Sequence, residues 1–137
     1  DTVPVEEPKA LIDALVAGNG RITLGWNLGV AVLPKPAVKV LLNLAHIAID
    51  ALVRGGTLDI GAELRDGAAE IVVRATGAKI AFDPAVGRAL DGVLEPGELT
   101  SRTAPAHMIQ QLAAGLGGGL QYALSEDALV MGAVLPG

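Results

Sequence analysis

The 137 residues contain no cysteine. Disulfides, thiolate metal sites and a cysteine nucleophile are therefore excluded. Aromatic residues are nearly as scarce, with one Trp, one Tyr and one Phe, although 51% of the chain is hydrophobic. The core must then be built from Leu, Val, Ile and Ala. The two histidines, His46 and His107, lie far apart without carboxylates at ligand spacing, which argues against a metal site. Ten Lys and Arg face fifteen Asp and Glu, a net charge of −5. That balance argues against nucleic acid and against an anionic membrane surface. No apolar run reaches the ~18–20 uncharged residues of a membrane span. The N-terminus lacks a signal-peptide pattern, so a soluble cytoplasmic protein is expected. The length suits a single domain, residues 1–137, with a sizeable core.

What is present is organised around Pro34 to Gly56, PKPAVKVLLNLAHIAIDALVRGG. Pro36 suits a first helical turn, and Gly55-Gly56 is expected to stop the helix. Lys39, Asn43, His46, Asp50 and Arg54 recur three or four residues apart, giving one polar stripe on an otherwise apolar helix. Such a helix is buried on most sides and shows one narrow face to something wet.

The start, DTVPVEEPKA, is Pro-rich and acidic and carries no initiator Met. Residues 1–8 are expected to be a linker from a preceding element. Leu11, Ile12, Leu15 and Val16 predict a short amphipathic helix ending at Gly18-Asn19-Gly20. Arg21 to Trp26 alternates as a strand, and Asn27 to Leu33 reads as a looser link. After Gly56, alternation over Leu58–Leu64 and Ala69–Arg74 around Arg65-Asp66-Gly67 predicts a tight hairpin, because Asp-Gly reaches positive φ cheaply. Asp83-Pro84 is a cap followed by Pro at the first helical position, starting a short helix to about Leu90. Gly92 to Gly97 reads as a mobile lid. Thr100–Thr103 is expected to cap a helix that packs Ile109, Leu112, Ala113 and Leu116 inward, before Gly117-Gly118-Gly119 stops it. Two strands, around Leu120–Leu124 and Leu129–Leu135, close the chain. Five strands in this order, with hairpins rather than repeated βαβ units, mean an α+β sandwich.

That order resembles the ATP-binding catalytic domain of sensor histidine kinases. Val40-Leu-Leu-Asn43-Leu44-Ala-His46-Ile47 follows that family's long-helix motif, Ala75-Thr76-Gly77-Ala78-Lys79 falls on its Asp-x-Gly-x-Gly, and Gly117-Gly118-Gly119 on its second helix end. The resemblance implies a two-layer α/β sandwich: a mixed sheet of about five strands with helices on one face. It also maps Asn43, Ile47, Ala75, Gly77, Lys79 and Arg102 onto the family's nucleotide pocket. Ile47 falls where the family's second Asn holds Mg²⁺, and an aliphatic side chain offers no oxygen to a hard cation. Ala75 replaces the adenine-reading Asp, Lys79 replaces the last glycine, and Leu99 to Pro105 contains no glycine to close on phosphates. The implied pocket is degenerate and binds neither ATP nor metal; it is expected to be closed, with Ile47 packed.

A narrower resemblance is to alphaproteobacterial histidine phosphotransferases of the ChpT type. It rests on Gly20-Arg21-Ile-Thr-Leu24 with Trp26, on Leu33-Pro34-Lys35-Pro36-Ala37-Val38-Lys39, and on Ser101-Arg102-Thr103-Ala104. It implies a phosphoaccepting His on a helical hairpin preceding Asp1, with no catalytic residue in this chain. Implied partners are response-regulator receiver domains and a hybrid histidine kinase, with homodimerisation only through that hairpin. This chain alone is expected to be a monomer or at most a weak dimer. His46, one turn from Asp50, could accept phosphate but reads better as part of the polar stripe; His107 reads as a surface residue. Arg102 could hold a phosphate or a carboxylate, or be solvated. Three functions compete: a phosphorelay docking domain with no cofactor, an ATP-binding kinase domain with unusual ligands, and a purely structural module.

Overall fold

A computed structural model describes all residues, 1–137. The chain opens with a short strand, β1 (Thr2–Pro4), followed by helix α1 (Glu6–Ala17), which buries Pro8 and Ile12. Strand β2 (Ile22–Leu28) and a second three-residue strand, β3 (Val32–Pro34), come next. β1 and β3 pair antiparallel as a separate ribbon, Val3 opposite Leu33, extended by Lys35 N–H to the Asp1 carbonyl and Val5 N–H to the Ala31 carbonyl. The first eight residues thus hold β1 and the start of α1, and the stretch before the long helix is not loose. Both are held by backbone hydrogen bonds that hydropathy does not reveal.

Helix α2 runs Lys35–Ala51 with Pro36 in its first turn. Leu41, Leu44, Ala45 and Ala48 are wholly buried, while Lys39, His46 and Asp50 are exposed, so the polar stripe faces out. The helix ends four residues before Gly55. Leu52 caps it, donating its N–H to the Ile49 carbonyl, and buries its side chain in the core. Gly55 and Gly56, with φ of 83° and 139°, do a different job: they turn the chain into strand β4 (Gly56–Arg65).

β4 and β5 (Ala68–Thr76) form the expected hairpin, with Asp66 (φ 53°) and Gly67 (φ 79°) as the two-residue turn. Helix α3 (Pro84–Leu90) is capped by Asp83, whose Oδ1 accepts the Ala85 N–H at 2.9 Å. A single 3₁₀ turn, Pro96–Glu98, precedes helix α4 (Ala104–Gly115). The hairpin of β6 (Gly119–Leu124) and β7 (Ala128–Pro136) ends the chain. On α4, Ile109 and Ala113 are buried as expected, Leu112 partly so, and Leu116 is 39% exposed because it lies past the helix end.

The main sheet has the order β2-β4-β5-β7-β6. Only β2–β4 is parallel, so the sheet is mixed with five strands. Alternate residues of its central strands, such as Leu58 and Ile60, Ile71 and Val73, Leu129 and Met131, are buried beneath the helices. The opposite face carries Thr57, Glu63, Val72 and Arg74. The helices thus cover one face, and the core is the aliphatic layer between. No helix is long and apolar enough to cross a membrane.

Candidate functional site

One face of α2 is the back wall of an open cleft of about 1040 Å³. Asn43, His46, Ile47 and Asp50 line it because they share that face, and Val53 continues the wall past the helix end. Ala81, Phe82 and Asp83, on the loop into α3, form the opposite side with Val86. Ser101, Arg102 and Pro105, at the entry to α4, complete the lining. Phe82 is held from behind by Tyr122, their ring centroids 5.1 Å apart.

Several of the polar groups are already engaged. Asn43 donates its side-chain N–H to the Lys39 carbonyl at 2.8 Å, turning the amide back onto its own helix. Asp83 spends Oδ1 on the α3 cap, and its Oδ2 lies 3.9 Å from Arg102 Nε. No three His, Asp or Glu side chains converge where a metal ion could sit.

The segment between α3 and α4 is tied down at three points, where a mobile lid was expected. Arg88 Nε donates to both carboxylate oxygens of Glu98, at 2.9 and 3.1 Å, and Nη2 pairs with Oε2. Glu98 Oε1 also accepts the Glu95 N–H at 3.2 Å. The Glu98 carbonyl receives the Thr103 hydroxyl, whose oxygen accepts the Thr100 N–H at 2.9 Å. Thr100–Thr103 was expected to cap α4, and Thr103 stands at its cap position. Its side chain, 2% exposed, nevertheless spans the loop and makes no cap bond.

The hydrogen bonds from Arg88 hold the Glu98 carboxyl below its ordinary value, and the same contact holds the Arg88 guanidinium above its own. Arg88 stays charged throughout, so the pH response belongs to Glu98. A carboxyl lowered on folding stabilises the fold above its unfolded-state value, and that contribution is lost as pH falls through the folded value. Amide-exchange protection of residues 93–103, corrected for intrinsic rates, is therefore expected to hold at neutral pH and to fall once pH drops below the ordinary carboxylate range. Glu98→Gln should lose the same protection at pH 7. Unchanged protection in that variant would mean the tether is ornamental.

Of the six pocket positions drawn from the sequence, Asn43, Ile47 and Arg102 line the cleft. The other three do not. Ala75 is fully buried in β5 on the helix side. Gly77 packs against the Gly55 carbonyl and Leu52, where a Cβ would come within 2.6 Å of that oxygen. Lys79 points into solvent from the following loop. Ile47 is partly buried and packs against the core, yet it lines a cleft that is open where a closed pocket was expected. Phe82 and Val53 escaped the sequence reading, as did the wall role of Asp83, which was read only as a cap. Phe82, the chain's one Phe, beside a capped helix start, was the available signal. His107 is half-buried on α4 outside the cleft.

A five-stranded mixed sheet covered on one face by helices, with a cleft beside the long helix, is the histidine-kinase catalytic-domain fold. Solved structures agree. The histidine kinase AdeS of Acinetobacter baumannii superposes with a TM-score of 0.69 at 13% identity, covering 99% of this chain and 66% of that one. Full-length ShkA in complex with AMPPNP gives 0.68 at 19% identity, covering 99% and 31%. A bacterial phosphotransferase gives 0.83 at 21% identity, covering 96% of this chain and 64% of that chain. This chain therefore spans just under two thirds of that phosphotransferase. A search of curated proteins gave no match. The family model for the histidine phosphotransferase C-terminal domain matches residues 5–128, and the chain belongs to that family.

Proposed function

We propose that this domain binds no nucleotide and instead helps dock receiver domains of response regulators beside a phosphoaccepting histidine outside this chain. Phosphate would reach that histidine from the receiver of a hybrid histidine kinase and leave for the aspartate of another receiver. No group in the cleft needs to react; the domain supplies binding that holds the receiver beside the histidine. The observation that carries the reading is Ile47. A Mg²⁺–triphosphate needs oxygen ligands on the α2 wall. At Ile47 the chain offers an aliphatic side chain with no oxygen, one turn after Asn43, whose side-chain N–H and not its oxygen is bonded to the Lys39 carbonyl. Asp50 and Asp83 add negative charge to the walls, and the nearest cation, Arg102, lies beside Asp83. The lack of an oxygen at Ile47 and of glycine at the α4 entry supports the reading that no magnesium nucleotide is held here.

A second reading has one observation in its favour: the cleft is open and large enough for a small ligand. Mg-ATP separates the two. A ligand that binds only the folded state at a hundredfold excess over Kd adds about 2.7 kcal/mol. That is a rise in Tm of roughly 10 °C for a domain of this size. The expected result is no rise at millimolar Mg-ATP; a clear one would overturn the docking-only reading. The same titration on Ile47→Asn sharpens the point. Because Ile47 is half-exposed, the change should cost less than about 1 kcal/mol. It should also leave nucleotide binding absent, since the α4 entry remains without glycine. Receiver binding by the longer protein, with and without this domain, then separates docking from a purely structural role.

A further inference from the structure

We propose that the free edge of β6 pairs with the β6 edge of a second copy of this chain, joining two five-stranded sheets across a twofold axis. β6 is the last strand of the sheet and pairs only with β7. Outside that ladder none of its residues, Gly119 to Leu124, makes a backbone hydrogen bond; the nearest are Gly118 N–H to Ala113 and Ser125 N–H to Ala128. One side of the strand thus presents a row of unpaired N–H and C=O groups, whose natural occupant is another extended backbone. Proteins normally blunt such an edge with Lys, Pro or a bulge. Gly-Leu-Gln-Tyr-Ala-Leu has neither charge nor Pro.

The sequence of the edge selects the partner. Leu120-Gln121-Tyr122-Ala123-Leu124 is palindromic in its alternate positions, Leu-x-Tyr-x-Leu. Antiparallel pairing about Tyr122 sets Tyr122 opposite its own copy and Leu120 opposite Leu124, all on the helix side of the merged sheet. Gln121 then meets Ala123 on the other face. Cross-strand aromatic and aliphatic pairs of this kind are favourable. With no charge in the strand, identical copies meet without repulsion. The side chains are available: Leu124 is 50% exposed, and Leu120 and Tyr122 are half-buried. The other edge, β2, reads Ile22-Thr-Leu-Gly25-Trp26 and has no such symmetry. For this chain by itself, an isologous contact closes at two copies rather than growing into a fibre.

One strand edge buries less than a standard interface, so the dimer is weak, populated at about 100 µM and lost near ~1 µM. Light scattering across that range should show it on this chain as it stands. Leu124→Lys, at an exposed position, should keep the monomer's Tm and raise the dimer Kd at least tenfold. The cysteine-free sequence also permits a register test. Gln121→Cys and Ala123→Cys chains, mixed and gently oxidised, should give a disulfide-linked pair, because opposed Cα atoms lie within bridging distance and diagonal ones do not. Each variant oxidised alone should give little. A chain that stays monomeric at ~500 µM overturns the proposal. So does a dimer indifferent to Leu124→Lys, or cross-linking equally efficient in the separate samples.

Discussion

Gly56→Ala is expected to be among the most damaging single substitutions in this chain, lowering stability by about 3 kcal/mol or more. Gly56 opens the central strand β4 at φ 139°, a conformation that L side chains rarely adopt. It is also hemmed in on both sides. Its N–H donates to the Arg21 carbonyl at 3.0 Å, and an added Cβ would collide with the Thr76 carbonyl and lie 3.0 Å from Gly77 Cα. Backbone strain and a backbone collision therefore fall on one residue, and relieving either pulls β4 from β2 or β5. The expected fall in Tm is roughly 10 °C or more. Gly67→Ala is the control. It sits at φ 79° with nothing within 4 Å, so only strain is incurred, about 1 kcal/mol. Thermal melts of the two variants should differ clearly; equal melting would show that β4 entry adapts to a side chain.

If this domain docks receivers within a longer histidine phosphotransferase, as proposed above, removing it is expected to cut kcat/KM for receiver-to-histidine phosphotransfer by at least about 100-fold. The loss should fall mainly on KM, because a docking surface contributes binding common to ground and transition states. At saturating receiver the rate should approach that of the full protein. If kcat falls instead, the domain aligns the reacting groups during the transfer itself. If neither constant changes while Tm drops, the domain only stabilises its neighbour. Those three patterns are distinct in one set of initial-rate measurements.

The parts legible in the sequence share a physical feature: their signal is local. Alternation around Asp66-Gly67 and the pairing of Asp83 with Pro84 gave a hairpin and a helix start at the observed places, because a two-residue turn and a side-chain cap involve neighbours only. The β1–β3 ribbon left no such trace. Each of its strands is three residues long, too short for a period, and its partners are thirty residues apart in sequence. The end of α2 was misplaced for a related reason. Gly55-Gly56 resembles a helix stop, but both glycines serve approaches to Arg21 and Thr76 that no local pattern announces.

By itself the sequence determined an aliphatic α+β sandwich, the outward polar stripe of α2, and Asn43, Ile47 and Arg102 as residues of one cleft. Periodicity and composition suffice for the first two; the three cleft residues came from the resemblance to histidine-kinase catalytic domains. Tertiary structure alone decided that the cleft stands open, that Phe82 and Asp83 face Ile47 across it, and that Ala75 and Lys79 take no part. It also decided that Glu98, through Arg88 and Thr103, ties the loop beside the cleft. The reason is distance along the chain. A cleft is the space between elements, set by how α3 and α4 pack against the sheet, and no single segment encodes that separation.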